Sequence, residues 1–205
     1  MLTNTMTSTV LKGTPCDQYE GCRILVVTGN EDGCVGRKEF DNQASAFAFL
    51  NETKDNLFKE NIRDLEEELD ETPDGYELHT LSGYHRTGFV VPVPQTVYEA
   101  LSLELRIARF TATHDEDLTE NDGRHTRDAL LSVSSLVKKY FPRGDHLYNL
   151  LANAIKDIQT ALKEDANFKY GGGCTEDSVA ALAGLVDKYV PRDMALKEGE
   201  VKQQC

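Results

Sequence analysis

Three stretches of this chain hold side chains whose types and spacing could do chemistry. His114-Asp115-Glu116-Asp117-Leu118-Thr119-Glu120-Asn121-Asp122-Gly123-Arg124-His125 is the densest. Its adjacent His114 and Asp115 are the candidates for a divalent metal, with His79 or His85 as further ligands. A metal there would lower the pKa of a bound water and stabilise phosphoryl charge. The spacing argues against it, because His79 and His85 fall on an expected hairpin and not on the helix such a site needs. No reading frame matches a calcium loop either, since D-x-[DN]-x-[DN]-G followed by a bidentate Glu is missing. The segment reads as an exposed acidic loop between helices.

The second stretch, Glu66-Glu67-Glu68-Leu69-Asp70-Glu71, has carboxylates spaced to share one helix face and chelate a hard cation. Its expected counterpart, an E-x-x-D on a following helix, is absent: neither Glu99 nor Glu104 has Asp three residues on. It reads as a solvated acidic helix end. Its charge sits at the unfavourable end of the helix dipole, a small cost that a cationic partner would relieve.

The third is Gly83-Tyr84-His85-Arg86-Thr87-Gly88, where an aromatic ring, an imidazole and a guanidinium meet in a very acidic half of the chain. Such groups stack on a base, or fork onto a phosphate or carboxylate. Tyr170-Gly171-Gly172-Gly173-Cys174-Thr175 offers less. A phosphate loop needs G-K-[ST], and here Glu176 and Asp177 would repel an anion. Cys174 near a helix start has no evident His partner. The five cysteines (Cys16, Cys22, Cys34, Cys174, Cys205) lack a paired short spacing, which suits free thiols in a cytoplasmic protein.

The elements that must position these groups follow from periodicity. Met1 to about residue 20 lacks a hydrophobic pattern and reads as a loose arm. Cys22–Thr28 and Cys34–Phe40 read as strands around a Gly-Asn-Glu-Asp-Gly turn. Asp41 is placed to cap a helix carrying Phe47 and Leu50, then Phe58, Ile62, Leu65 and Leu69 at helical spacing. Asn51-Glu52-Thr53 is a point where that helix would break, and Thr72-Pro73-Asp74-Gly75 is its stop. Tyr76–Leu81 and Gly88–Val93 are two more strands, with Val91-Pro92-Val93-Pro94 ending the sheet.

From Gln95 the pattern turns helical. Thr96 and Glu99 have capping-box spacing, although Leu101, Leu103, Leu105 and Ile107 alternate as a strand would. Three further helices are expected over Thr126–Phe141, Asp145–Asp165 and Thr175–Val190. Their inward stripes include Leu130, Val133, Val137 and Tyr140, then Leu147, Leu151, Ala154, Ile158 and Ala161, then Val179, Leu182, Val186 and Tyr189. Thr126–Arg143 and Thr175–Arg192, offset by 49, match at eight of eighteen positions. This is either a duplicated helix pair or two helices with shared start and stop chemistry. The expected fold is α+β: a small antiparallel ββαββ sheet unit over 21–94, a four-helix bundle over 95–196, and a frayed tail over 197–205.

Charge decides the class of partner. Acids outnumber Lys and Arg by 35 to 22, a formal net charge of −13. That excludes a general nucleic-acid binder and docking on anionic membranes, both of which need cations. No apolar run is long enough to span a bilayer, and the first ten residues lack signal-peptide character. Residues 1–94 carry 17 acids against 8 bases, and 95–205 carry 18 against 14. The expectation is a non-enzymatic protein without cofactor. Its acidic face, Glu66, Glu67 and Glu68, binds and inhibits a partner with a basic surface, and Tyr84, His85 and Arg86 give specificity. The competing expectation is a nucleotide-binding protein or metal-dependent phosphohydrolase built from the 79–86 hairpin and the 114–125 loop.

Overall fold

The computed structural model describes residues 22–30, 33–61, 67–80, 85–113, 123–167 and 173–197. The arm, Cys16, the loop with His114 and Asp115, the glycine linker before Gly173, and the tail with Cys205 lie outside the described residues. The chain forms two compact units that divide between Val93 and Pro94, with Asn30–Val35 grouped with the second. The architecture is α+β.

The first unit contains β1 (Ile24–Gly29), β2 (Val35–Phe40), α1 (Gln43–Asn61), β3 (Glu67–Thr72), β4 (Gly75–Thr80) and β5 (His85–Pro92). Among the described residues the sheet has five strands, in the order β2-β1-β5-β4-β3. β1 runs antiparallel to β5, β5 to β4 and β4 to β3. The order along the chain is therefore ββαβββ, one strand more than the expected ββαββ. The additional strand is β3, which corrects the reading of Leu69 and its acidic neighbours as the end of a helix. α1 stops at Asn61. Pro73 and Asp74 then form a two-residue turn joining β3 to β4, with Thr72 paired to Gly75. The Thr72 hydroxyl donates to Asp74 Oδ1 at 2.9 Å. Pro presets the first turn position and Asp the second, so this tetrapeptide is a hairpin and not a helix stop.

α1 begins one residue later than the Asp41 cap implies. The Asn42 side-chain oxygen accepts from the Ser45 N–H at 2.9 Å, so Asn42 does the capping. Asn51 and Thr53 do not break the helix. Their side chains donate to the carbonyls of Phe47 and Phe49, one turn back, and leave the helical backbone in place. Ala46, Phe47 and Leu50 lie against Ile24, Val26, Tyr76 and Val90 as one core. Burying each large member stabilises by roughly 1.5–3 kcal/mol. Lys54 continues that helical stripe and is itself fully buried.

Among the described residues the second unit has four helices: α2 (Val97–Ala112), α3 (Arg124–Tyr140), α4 (His146–Asn167) and α5 (Gly173–Tyr189). α2 and α4 each pack against both α3 and α5, closing a ring. The α2 capping box is present, with Thr96 Oγ1 accepting from Glu99 N–H and Glu99 Oε2 accepting from Thr96 N–H. The alternating Leu101, Leu103, Leu105 and Ile107 are all buried, together with Glu104 and Ala108. α2 is thus a helix enclosed on most sides, which mimics a strand pattern. In α4, Ile155 and Leu162 take the buried positions expected of Leu147 and Ala154, which are only half-buried. Tyr189 is exposed, and Val190 fills the core instead. Lys197, expected to begin a frayed tail, donates its N–H to the Tyr140 hydroxyl at 2.9 Å.

Candidate functional site

The acidic stretch becomes the edge of the sheet. In β3, Glu67 faces Thr80 of β4, Glu68 faces His79, Leu69 faces Leu78, Asp70 faces Glu77 and Glu71 faces Tyr76. Four of the six residues of β3 are acids, and Asp70 and Glu77, paired directly, are both exposed. Like charges opposite one another in a ladder are destabilising. Being the last of the described strands, β3 also has an outer row of backbone groups that no other described strand pairs. Glu66 lies outside the described residues.

The 83–88 cluster divides. Tyr84 lies outside the described residues, while His85, Arg86 and Thr87 belong to β5. The expected loop is therefore shorter, and consecutive strand residues fall on opposite faces. Arg86 shares the α1 face with Tyr76, whose ring is 2% exposed. Burial pushes the Tyr76 phenol up to about 12, with the Arg86 guanidinium pulling the other way. His85 is on the other face, in register with His79. The Thr87 hydroxyl, buried on that same face, donates to the Tyr76 carbonyl at 3.2 Å.

Sequence reasoning missed two arrangements in the second unit. Cys34 Sγ lies 3.4 Å from His125 Nε2, 91 residues apart, at the first turn of α3. The Asn30 side chain accepts from the Cys34 N–H at 2.9 Å and holds the turn. The signal for such a pair is long-range, and nothing in the spacing of Cys34 and His125 announces it. The other is Asp165, a buried carboxylate that accepts from both the N–H and the hydroxyl of Thr175, at 2.8 and 2.6 Å. It caps α5 from the preceding helix. Cys22, Cys34 and Cys174 are free thiols. Among the side chains the structure describes, no three His, Cys, Asp or Glu lie close enough to hold a metal ion, and no helix is long and apolar enough to cross a membrane.

Comparison with known proteins adds no relative: no family model, no curated protein and no solved structure matches this chain.

Proposed function

We propose that this protein is a non-enzymatic binding protein whose acidic edge strand β3 captures an extended, basic segment of a protein partner. The observation that carries the reading is the conversion of Glu67-Glu68-Leu69-Asp70-Glu71 into the last strand of the sheet. An edge strand binds by adding one more strand, with backbone hydrogen bonds giving affinity and side chains giving selectivity. Acids at successive positions place negative charge on both faces of β3. A strand bearing Lys or Arg is complemented on both faces, while a second copy of β3 is repelled.

The test uses a synthetic peptide of alternating Lys and Val as probe, with the full chain. Binding should weaken steeply from low to physiological salt, because charge steers the encounter. The double variant Glu67→Lys/Glu71→Lys should slow association at least about tenfold, since steering is the larger part of a fast on-rate. Backbone amides of β3 should become protected from hydrogen exchange on binding. An unchanged on-rate in the variant, or protection elsewhere in the chain, would leave β3 as a solubilising edge.

A further inference from the structure

We propose that the Cys34–His125 pair is a redox-modification site, at which a hydroperoxide oxidises the thiol while the imidazole carries the proton. The inference rests on a contact between two side chains of the second unit. Cys34 Sγ lies 3.4 Å from His125 Nε2, which places a nucleophile within hydrogen-bond reach of a base. The thiol is exposed, so a small reagent reaches the sulfur from solvent. Among the described residues it is the one thiol set against an imidazole.

Both partners are fixed by their own backbones. The Asn30 N–H donates to the Cys34 carbonyl at 3.1 Å, and the Gly33 N–H donates to the Asn30 carbonyl at 3.0 Å. With the Asn30 side chain accepting from the Cys34 N–H at 2.9 Å, three hydrogen bonds hold the turn that carries the thiol. His125 is the second residue of α3, just after Gly123 at φ +64°. A Cβ at Gly123 would lie 2.5 Å from Leu162, so the chain enters α3 by a single route. Thiol and imidazole therefore meet with little further loss of backbone freedom. The first turn of α3 holds Arg124 and Arg127 and no acid. Those cations, and the positive end of the helix dipole, favour negative charge developing on the sulfur.

The step balances within the pair and its reagent. His125 Nε2 takes the proton of the Cys34 thiol, as the neutral ring does with its own hydrogen on Nδ1. The sulfur attacks the terminal oxygen of the hydroperoxide, and the S–O bond forms as the O–O bond breaks. Sulfur gives up two electrons to the peroxide. The departing oxygen takes the proton from the imidazolium. The products are a sulfenic acid and an alcohol, or water when the reagent is hydrogen peroxide. Two equivalents of a small thiol restore the site: the first forms a mixed disulfide and releases water, and the second frees Cys34. Charge selects the reagent. At a net charge of −13 the chain repels anionic disulfides, whereas a small uncharged peroxide approaches unhindered.

The experiment treats the reduced, full-length chain with hydrogen peroxide at about pH 7 and traps sulfenic acid with dimedone. Mass spectrometry then follows each cysteine peptide. Cys34 should be trapped about tenfold faster than Cys22 and Cys174. An ordinary thiol is only a few per cent ionised near pH 7. That leaves room for a gain of this order, after the weaker nucleophilicity of a stabilised thiolate is counted. His125→Gln should remove the advantage and leave the rates of Cys22 and Cys174 unchanged. A variant that failed to fold would instead expose half-buried Cys22 and raise its rate, so unfolding does not imitate this result. In the natural sequence, one of the five histidine imidazole NMR signals should shift as Cys34 is oxidised. That readout needs no variant. Several results would overturn the site: Cys34 no faster than Cys174, an unchanged Cys34 rate in His125→Gln, equal slowing of all three thiols, or no imidazole shift. The proposal is separable from strand capture, because the oxidation contains no peptide and the peptide test alters Glu67 and Glu71 only.

Discussion

The two units of this protein secure their elements by opposite means. In the sheet unit the decisive contacts are close backbone approaches between distant segments. A Cβ at Gly88 would lie 2.6 Å from the Tyr76 ring and 2.7 Å from Leu50, and one at Gly75 would lie 2.2 Å from the Gly88 carbonyl oxygen. β4 and β5 thus meet with no room for side chains at those points, and the phenol of Tyr76 lies over the space. In the helical unit the decisive contacts are polar and sit at helix starts: the Thr96–Glu99 box on α2, the Asp145 carboxylate accepting from Leu147 N–H on α4, and Asp165 on Thr175 in α5. The sheet unit should therefore be sensitive to added volume, and the helical unit to removed acceptors.

The largest effect that would break this contrast is Gly88→Ala. The added methyl meets the buried Tyr76 ring, which is held against α1 and cannot swing away as a flexible chain end can. Overpacking of a filled core costs typically 1–3 kcal/mol, and this contact is well inside van der Waals range, so about 3 kcal/mol is expected. Denaturant unfolding measures it. A loss below about 1 kcal/mol, within the low end of that range, would show that the sheet core has slack.

Tyr76 sharpens the same point through pH. Its folded value is raised from 10.0 to about 12 by burial, against the pull of Arg86. The neutral phenol is therefore favoured by folding. Its contribution is fully present below pH 10 and is lost as pH rises from 10 through 12, because only the unfolded chain releases the proton over that window. Two pH units at 1.36 kcal/mol each give a loss of about 2.7 kcal/mol. The difference between the natural chain and Tyr76→Phe, measured at pH 9 and again near 12, should fall by most of that amount. A constant difference would mean the phenol ionises in the folded state as freely as in the unfolded one.

The same division explains what the sequence makes legible. The helices could be read because their information is local: Thr96 and Glu99 are three apart, and Leu130, Val133 and Val137 repeat at helical spacing. The eight-of-eighteen similarity likewise corresponds to two helices of 17 residues, α3 and α5. They have matching buried positions at Thr126 and Thr175, Leu130 and Val179, Val133 and Leu182, and Val137 and Val186. β3 was illegible because four acids and a Leu have no intrinsic reason to be extended. Pairing with β4, created by the Pro73–Asp74 turn, makes them a strand. The Pro-Asp-Gly signal for a hairpin was present in the sequence, but the spacing of Phe58, Ile62, Leu65 and Leu69 outweighed it. Candidate sites suffered most. Whether His79 meets His85, or Cys34 meets His125, depends on register and on chain return, neither of which is written in nearby residues.

The smallest expected effect tests the helical side of the contrast. Asp165 is 6% exposed, and one of its carboxylate oxygens accepts from both the N–H and the hydroxyl of buried Thr175. α3, which shares its stripe with α5, starts differently: its N-cap is Gly123 at φ +64°, with no side-chain cap hydrogen bond. Gly123 is tight against Leu162, so that start is fixed by packing and backbone conformation. Removing the acceptor from α5 should thus be felt only at α5. Asp165→Ala leaves a buried N–H and a buried hydroxyl without their carboxylate, and unsatisfied buried donors cost about 1–3 kcal/mol. About 2 kcal/mol is expected, most of it restored in Asp165→Asn, which keeps one carbonyl acceptor. Hydrogen exchange should report faster opening of the first turn of α5, with the first turn of α3 unchanged. Equal loosening of both starts would mean that the cap stabilises the whole ring of helices and does not act locally.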